Sequence, residues 1–256
     1  MTERHDFVTP DLNRARRKGV PEVILAEGKT LEHALKIAGI FLAKNGRAIL
    51  SRVSPELKAG LHREFDADAA FEWYASARAA VLSKPGFARP RTGGRVGILT
   101  AGTSDVPAAE EAAMLCKEMG CAVYTTFDVG VAGLHRLFDP LRQMLEEHEV
   151  DVLIVAAGMD GALPSVVSGL ADVPVIGLPT QVGYGLGGQG VAALYSMLQS
   201  CAPGMAVVNI GNGIGAGAMA GLIANRMAAA RQMAWERAEQ VLAQPPTAEN
   251  AEIAKK

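Results

Sequence analysis

Aromatic residues are scarce in this chain: Phe, Trp and Tyr together make up 5% of its 256 residues. Cysteine is scarcer still, with 3 residues, none of them in a CxxC pair. An odd number at irregular spacing argues against a disulfide framework and against a zinc site, and it fits a reducing cytoplasm. Strong charge is missing as well. The formal net charge is −2, so no global field draws the chain to nucleic acid or to a membrane surface. The one basic cluster, Arg14, Arg16, Arg17 and Lys18, is short and reads as a solvated helix face. Long hydrophobic runs are absent. The longest, Val150 to Met159, is interrupted by Asp151 and is too short to span a bilayer. The opening Met-Thr-Glu-Arg-His-Asp is polar and has no hydrophobic core of a secretory leader.

Half the residues are apolar, at 49%, and glycine is plentiful at 28 residues, a composition that suits a soluble α/β protein. The texture changes near residue 93, which predicts two units, residues 1–92 and 93–256. In the first, Pro21–Leu25 reads as a short strand. Thr30 reads as the N-cap of a helix whose apolar stripe is Leu31, Leu35, Ala38 and Leu42 and which ends at Asn45-Gly46. Ala48–Val53 reads as a second strand, and Ser83–Gly94, with two prolines and Gly93-Gly94, as a linker. From residue 95, continuous apolar runs at Val96–Thr100, Ala122–Phe127, Val152–Ala156, Val173–Leu178 and Met205–Ile210 alternate with helical patterns at Pro107–Gly120, Pro140–Glu149, Ala162–Gly169 and Gly190–Ser200. A last helix is read over Ala218–Leu242. This alternation predicts a parallel sheet covered on both faces, with ligands beyond the carboxyl ends of its strands.

The loops at those ends are rich in Gly, Ser, Thr, Asp and His. Gly102-Thr103-Ser104-Asp105 precedes a helix and reads either as an anion cradle or as a simple N-cap. Gly211-Asn-Gly-Ile-Gly-Ala216 fits the relaxed dinucleotide pattern, but a single terminal helix follows it in place of a β-α-β unit, so a dinucleotide fold is not expected there. A complete Walker motif is missing. Of the cysteines, Cys116 and Cys121 fall on a helix and at a strand start, where thiols act as small core hydrophobes. Cys201 precedes Ala-Pro-Gly at a sharp corner and is the candidate nucleophile.

Taken together, Gly102–Asp105 with Glu110-Glu-Ala, Asp128–Arg136, Ala157–Val167, Pro179–Gly185 and Ser200-Cys-Ala-Pro-Gly204 resemble the LarB family, the carboxylase/hydrolases of nickel-pincer cofactor biosynthesis. The part of those proteins that these loops match is similar to the aminoimidazole ribonucleotide carboxylase PurE. Gly19–Ile24 and Glu27-Gly-Lys29 resemble the family's N-terminal domain; the likeness is weakest over residues 55–90. The resemblance implies a PurE-like, flavodoxin-like three-layer α/β domain behind a small N-terminal α/β domain, with a long C-terminal helix. It implies a reaction on nicotinic acid adenine dinucleotide in which C5 of the pyridinium ring is carboxylated and the phosphoanhydride is hydrolysed with release of AMP. By the same resemblance Cys201, Asp160 and His135 are the catalytic group. Gly102, Thr103, Ser104, Asp105, Asp128, Arg136, Gly158, Met159, Thr180, Gly183, Tyr184, Gly185, Asn209 and Asn212 bind substrate. Tyr184 is read either as a ring-stacking residue or as core, and His135 as a proton carrier, a carboxylate-orienting group or a structural hydrogen bonder.

The expected co-substrate is CO2 or bicarbonate. Mg2+ is expected as a substrate-bridged ion, with its protein ligands unassigned and no nickel bound. The partners expected are the small-molecule dinucleotide and copies of the chain itself, an octamer by family likeness, with the Ala/Met-rich face from Ala216 to Met233 as packing surface. Neither nucleic acid nor membrane is expected. Three departures stand out: Asp160 replaces an expected Glu, Gly211 an expected Asp, and the glycine loop Gly185–Gly190 the usual small-polar version. A PurE-type carboxylase or mutase, which needs no cysteine, and a non-catalytic regulator similar to circadian phase modifiers are the rival readings.

Overall fold

The computed structural model describes residues 8–242; the polar opening segment and the final residues lie outside it. The first unit begins with α1 (Arg14–Lys18), which buries none of its residues and pairs Arg14 with Glu22 at 2.7 Å. β1 (Ile24–Leu25) runs parallel to β2 (Arg47–Ser51), joined by α2 (Leu31–Asn45). Thr30 caps α2 by accepting a hydrogen bond from the His33 amide, and Gly46 closes it at φ +74°, both as read from the sequence. Beyond β2 the sequence reading saw no elements before the linker. The structure adds α3 (Pro55–Phe65), capped by Ser54, then the antiparallel strands β3 (Ala70–Tyr74) and β4 (Ala79–Ser83), in the order β1-β2-β4-β3. One face of this sheet buries Ile37, Phe41, Leu42, Leu57 and Leu61 of α2 and α3.

The second unit is a five-stranded parallel sheet. Its strands are β5 (Arg95–Thr100), β6 (Ala122–Thr126), β7 (Val152–Ala157), β8 (Val175–Pro179) and β9 (Met205–Val207), in the order β6-β5-β7-β8-β9. Side chains alternate between its faces with the two-residue period of a strand. Val96, Ile98, Val152, Ile154, Ala156, Ile176 and Leu178 pack on α4 (Val106–Glu118) and α8 (Gly213–Leu242). Leu99, Leu153, Val155 and Val175 face α5 (His135–Arg142), its π-helical extension (Gln143–Glu147), α6 (Ala162–Leu170) and α7 (Val191–Leu198). The expected three layers are therefore present. The boundaries differ at two helices: α5 begins at His135, five residues ahead of the expected Pro140, and α8 at Gly213. Pro140 sits inside α5, near enough to the helix start that little of the ladder is lost.

The two units share a core. Met114 of α4 is fully buried among Ile49, Tyr74, Ala79 and Val81, on the sheet face opposite α2 and α3. Val20 packs on Leu115 and Met119. The buried Glu118 carboxylate accepts hydrogen bonds from Arg47 of the first unit and Arg89 of the linker. On α8, Ala216, Ala220, Ala224 and Ala228 form a buried stripe, and a Cβ at Gly217 would stand 2.7 Å from the Ala112 carbonyl oxygen. Small residues thus let α8 lie close on α4. Of the expected packing surface Ala216–Met233, the alanine face is consumed within the chain, and Met219, Met227 and Met233 are exposed.

Candidate active site

At the carboxyl ends of β5, β6 and β7 lies a cleft of about 620 Å³, lined by Gly102, Thr103, Ser104, Asp105, Asp128, Arg136, Gly158, Met159 and Asp160 among others. Nine of the sequence-predicted residues thus meet where a parallel sheet binds its ligands. Asp105 organises the floor. Its carboxylate accepts from the Gly102 amide at 2.9 Å and from the Thr180 hydroxyl at 2.6 Å, with a further bond from the Gly158 backbone. One side chain therefore ties together the loops after β5, β7 and β8. Burial pushes the Asp105 carboxyl above its ordinary value, and the three hydrogen bonds only partly offset that. In the Gly102–Asp105 loop Asp105 is turned inward to these bonds, while Thr103 and Ser104 are exposed.

Close approach of the loops demands glycine. A Cβ at Gly158 would stand 2.4 Å from the Val182 carbonyl oxygen. At Gly161, with φ +62°, it would stand 2.7 Å from the Ala193 carbonyl oxygen. The rim carries charge. Arg136, which lines the cleft, donates through Nη1 to Asp128 at 2.7 Å and through Nε to the Gly133 carbonyl at 3.4 Å. Asp128 and Met159, at φ +62° and +52°, adopt left-handed backbone that non-glycine residues rarely hold. Asp160 is exposed in the turn between β7 and α6, so its carboxylate is accessible to a ligand.

The other predicted residues lie elsewhere. His135 opens α5, is exposed, and is not among the cleft-lining residues. Tyr184 is 82% exposed, which excludes a place in the core of this chain; it and its neighbours Gly183 and Gly185 stand outside the cleft lining. Thr180 is buried beneath the cleft. Asn209 accepts from the Ile210 amide, and Asn212 caps α8 by accepting from the Gly215 amide at 2.8 Å. Cys201 is exposed and has no hydrogen-bonded partner among the described residues. It precedes β9, beside Gly204, whose carbonyl receives the Val175 amide at the start of β8. The cleft is at the other end of these strands. The five residues of β8 put roughly 17 Å between the two ends at 3.3 Å per residue. Within one chain, Cys201 and Asp160 are not brought together.

Sequence reasoning missed Ala101, Gly130, Val131 and Ala132, which form the apolar part of the cleft wall, and no polar signal marks them. A larger cavity, of about 910 Å³, lies against β3, the linker and the end of α4, away from these loops. Among the described residues no group of three or more His, Cys, Asp or Glu could hold a metal ion, and no helix is long and apolar enough to cross a membrane.

A parallel α/β sheet with this cleft at its strand ends defines a PurE-like carboxylase fold. Residues 95–245 match the AIR carboxylase family, and residues 2–84 match the LarB/PurE-like N-terminal domain. The chain belongs to this LarB/PurE-like family. It is 43% identical over 85% of its length to an uncharacterized protein of Methanocaldococcus jannaschii, covering 84% of that protein. It is also similar to N5-carboxyaminoimidazole ribonucleotide mutases. The one from Synechocystis is 37% identical over 49% of this chain and 69% of its own length. The one from Methanocaldococcus jannaschii is 33% identical over 44% and 67%.

Proposed function

We propose that this chain carboxylates C5 of the pyridinium ring of nicotinic acid adenine dinucleotide and hydrolyses its phosphoanhydride. The products are AMP and a pyridinium-3,5-biscarboxylate mononucleotide. The observation that carries the reading is the pairing of the two domains: the cleft of a carboxylase fold is accompanied by an N-terminal unit that matches the LarB/PurE-like domain.

A pyridinium ring is electron-poor and does not attack CO2. A thiolate adding at C4 places the electron pair on C5 as an enamine; C5 then forms the bond to CO2. Asp160 takes the C5 proton, and expulsion of the thiolate restores the aromatic ring. Water attacking the phosphoanhydride releases AMP. Arg136, Thr103 and Ser104 suit the mononucleotide phosphate and ribose. Mg2+ would neutralise the pyrophosphate oxygens, held mainly by the substrate, since Asp128 is already engaged by Arg136.

The thiol must come from Cys201, and the separation within one chain calls for Cys201 of a second copy. Leu186, Tyr195 and Leu198 are exposed on the segment leading to Cys201, Tyr195 by 63% and Leu198 by 60%. They form an apolar surface suited to such a copy, in keeping with an octamer. The distance of Cys201 from the cleft also favours a second reading, carboxylation of aminoimidazole ribonucleotide, whose ring carbon is already nucleophilic and needs no thiol. The test is to co-express Cys201→Ala and Asp160→Asn chains. If each copy lends its thiol to another's cleft, the mixed oligomer regains turnover that neither homo-oligomer has; a mixture as inactive as its parents contradicts the shared site.

A further inference from the structure

Between the two units runs a groove of about 420 Å³, bordered by Glu27, Arg52, Arg78, Ser104, Thr180 and Gly211. Ser104 and Val182 line both this groove and the cleft, so the two spaces are neighbours that share a wall. Each is of the size that takes a small molecule. The groove carries two arginines from the first unit, and both sit on left-handed backbone, Arg52 at φ +56° and Arg78 at φ +48°. They occupy one patch, because the Val53 amide donates to the Arg78 carbonyl at 2.7 Å. Arg52 is fixed from both sides: it donates to Glu27 at 2.7 Å and reaches across to the Gly211 carbonyl at 3.3 Å.

The negative groups nearby are accounted for. Glu111 accepts from Ser51 at 2.6 Å and from the Ile214 amide, and Glu110 accepts from the Ser76 hydroxyl and from the Ala77 amide at 3.1 Å. Glu27 is held below the ordinary carboxylate range by the Arg52 hydrogen bond and charge, with a smaller contribution from Arg78. Among the described residues Arg78 has no carboxylate within salt-bridge distance. The groove thus offers a guanidinium fork without an ion pair beside one that is already positioned, and such forks match phosphate oxygens two at a time.

We infer that the interdomain groove is the subsite for the leaving half of the substrate, with Arg78 and Arg52 on the phosphate of the AMP portion. This rests on the reaction proposed above and assigns the first unit a role in it. The hydrogen bond from Arg52 to the Gly211 carbonyl also makes occupancy of the groove sensitive to how the two units meet.

The experiment is calorimetric titration of the full chain with AMP, adenosine and inorganic phosphate, repeated on Arg78→Ala and Arg78→Lys. AMP should bind, adenosine should bind at least tenfold more weakly, and Arg78→Ala should weaken AMP at least tenfold. Arg78→Lys, which keeps the charge but loses the fork, should fall between. Equal AMP affinity in wild type and Arg78→Ala, or no AMP binding by the wild type, would overturn the subsite. Failure of the reaction itself reads differently. A chain that binds AMP through Arg78 but never turns over the dinucleotide keeps the subsite and loses the reaction. Turnover with an unchanged KM in Arg78→Ala keeps the reaction and loses the subsite.

Discussion

Asp105 is 4% exposed, yet no cation pairs with it among the described residues; it is held by an amide, a hydroxyl and further backbone. An acid whose folded-state affinity for its proton exceeds the unfolded one favours the native state at low pH and loses that advantage as pH rises. The window opens at the ordinary value of 3.8 and extends upward. Asp105→Asn removes this ionisation while keeping the shape. The stability difference, wild type minus variant, should therefore fall as urea unfolding is repeated from pH 4 to pH 7; a difference that rises with pH would contradict the assignment. Asp105→Ala should cost about 1–3 kcal/mol, because the Thr180 hydroxyl is left buried without its partner. In the proposed reaction Asp160 takes the C5 proton. Asp160→Asn should lower carboxylation by roughly 10²–10⁴-fold, the usual worth of a positioned acid-base group, while Asp160→Glu should keep it. Single-turnover rates with bicarbonate distinguish the two.

The parallel strands were readable because they are continuous apolar runs, and α2 because its caps Thr30 and Gly46 are explicit. The hairpin β3–β4 was not. Ala70-Phe-Glu-Trp-Tyr74 and Ala79-Ala-Val-Leu-Ser83 are joined by Ala75-Ser-Ala-Arg78, which has neither Gly nor Pro, and the turn closes on Arg78 in a left-handed conformation that sequence pattern does not announce. The start of α8 was hidden by Gly213, Gly215 and Gly217, which read as loop; α4 lies against Gly213 and Gly217, and the capping Asn212 side chain lies against Gly215. The nine cleft residues were legible as loops after apolar runs. The distant position of Cys201 was equally implicit, since it precedes a strand, but a motif carried by resemblance gives no sheet end. At this scale Glu118 is the clearest test. Its carboxylate is fully buried and joined by Arg47 and Arg89, so it fastens the first unit and the linker to α4. Breaking a buried pair from one side costs about 3–5 kcal/mol. Glu118→Ala should lower the thermal midpoint by roughly 10 °C, at 2–4 °C per kcal/mol for a chain of this size; an unchanged midpoint would show that the apolar contact of Met114 suffices.

As a whole the molecule places two openings side by side at one end of its large sheet, one in the carboxylase fold and one shared with the N-terminal unit, while its thiol waits at the other end. Under the proposed reaction, that arrangement calls for an assembly in which one copy's thiol meets another's cleft. The terminal helix supports this. With 30 residues it is roughly 45 Å long at 1.5 Å per residue, and its exposed part beyond Ala228 carries Met233 and Trp235, the latter 66% exposed. Light scattering should report an oligomer, an octamer by family likeness; a monomer active at working concentration would contradict the shared site.

The most direct test of the central claim is mass spectrometry of the products formed from nicotinic acid adenine dinucleotide, Mg2+ and bicarbonate by the purified protein and by Cys201→Ala. The account predicts AMP together with a dicarboxylated mononucleotide from the wild type, and no carboxylated product from the variant. Carboxylation that persists without Cys201, or a wild type that leaves the dinucleotide intact, would contradict it.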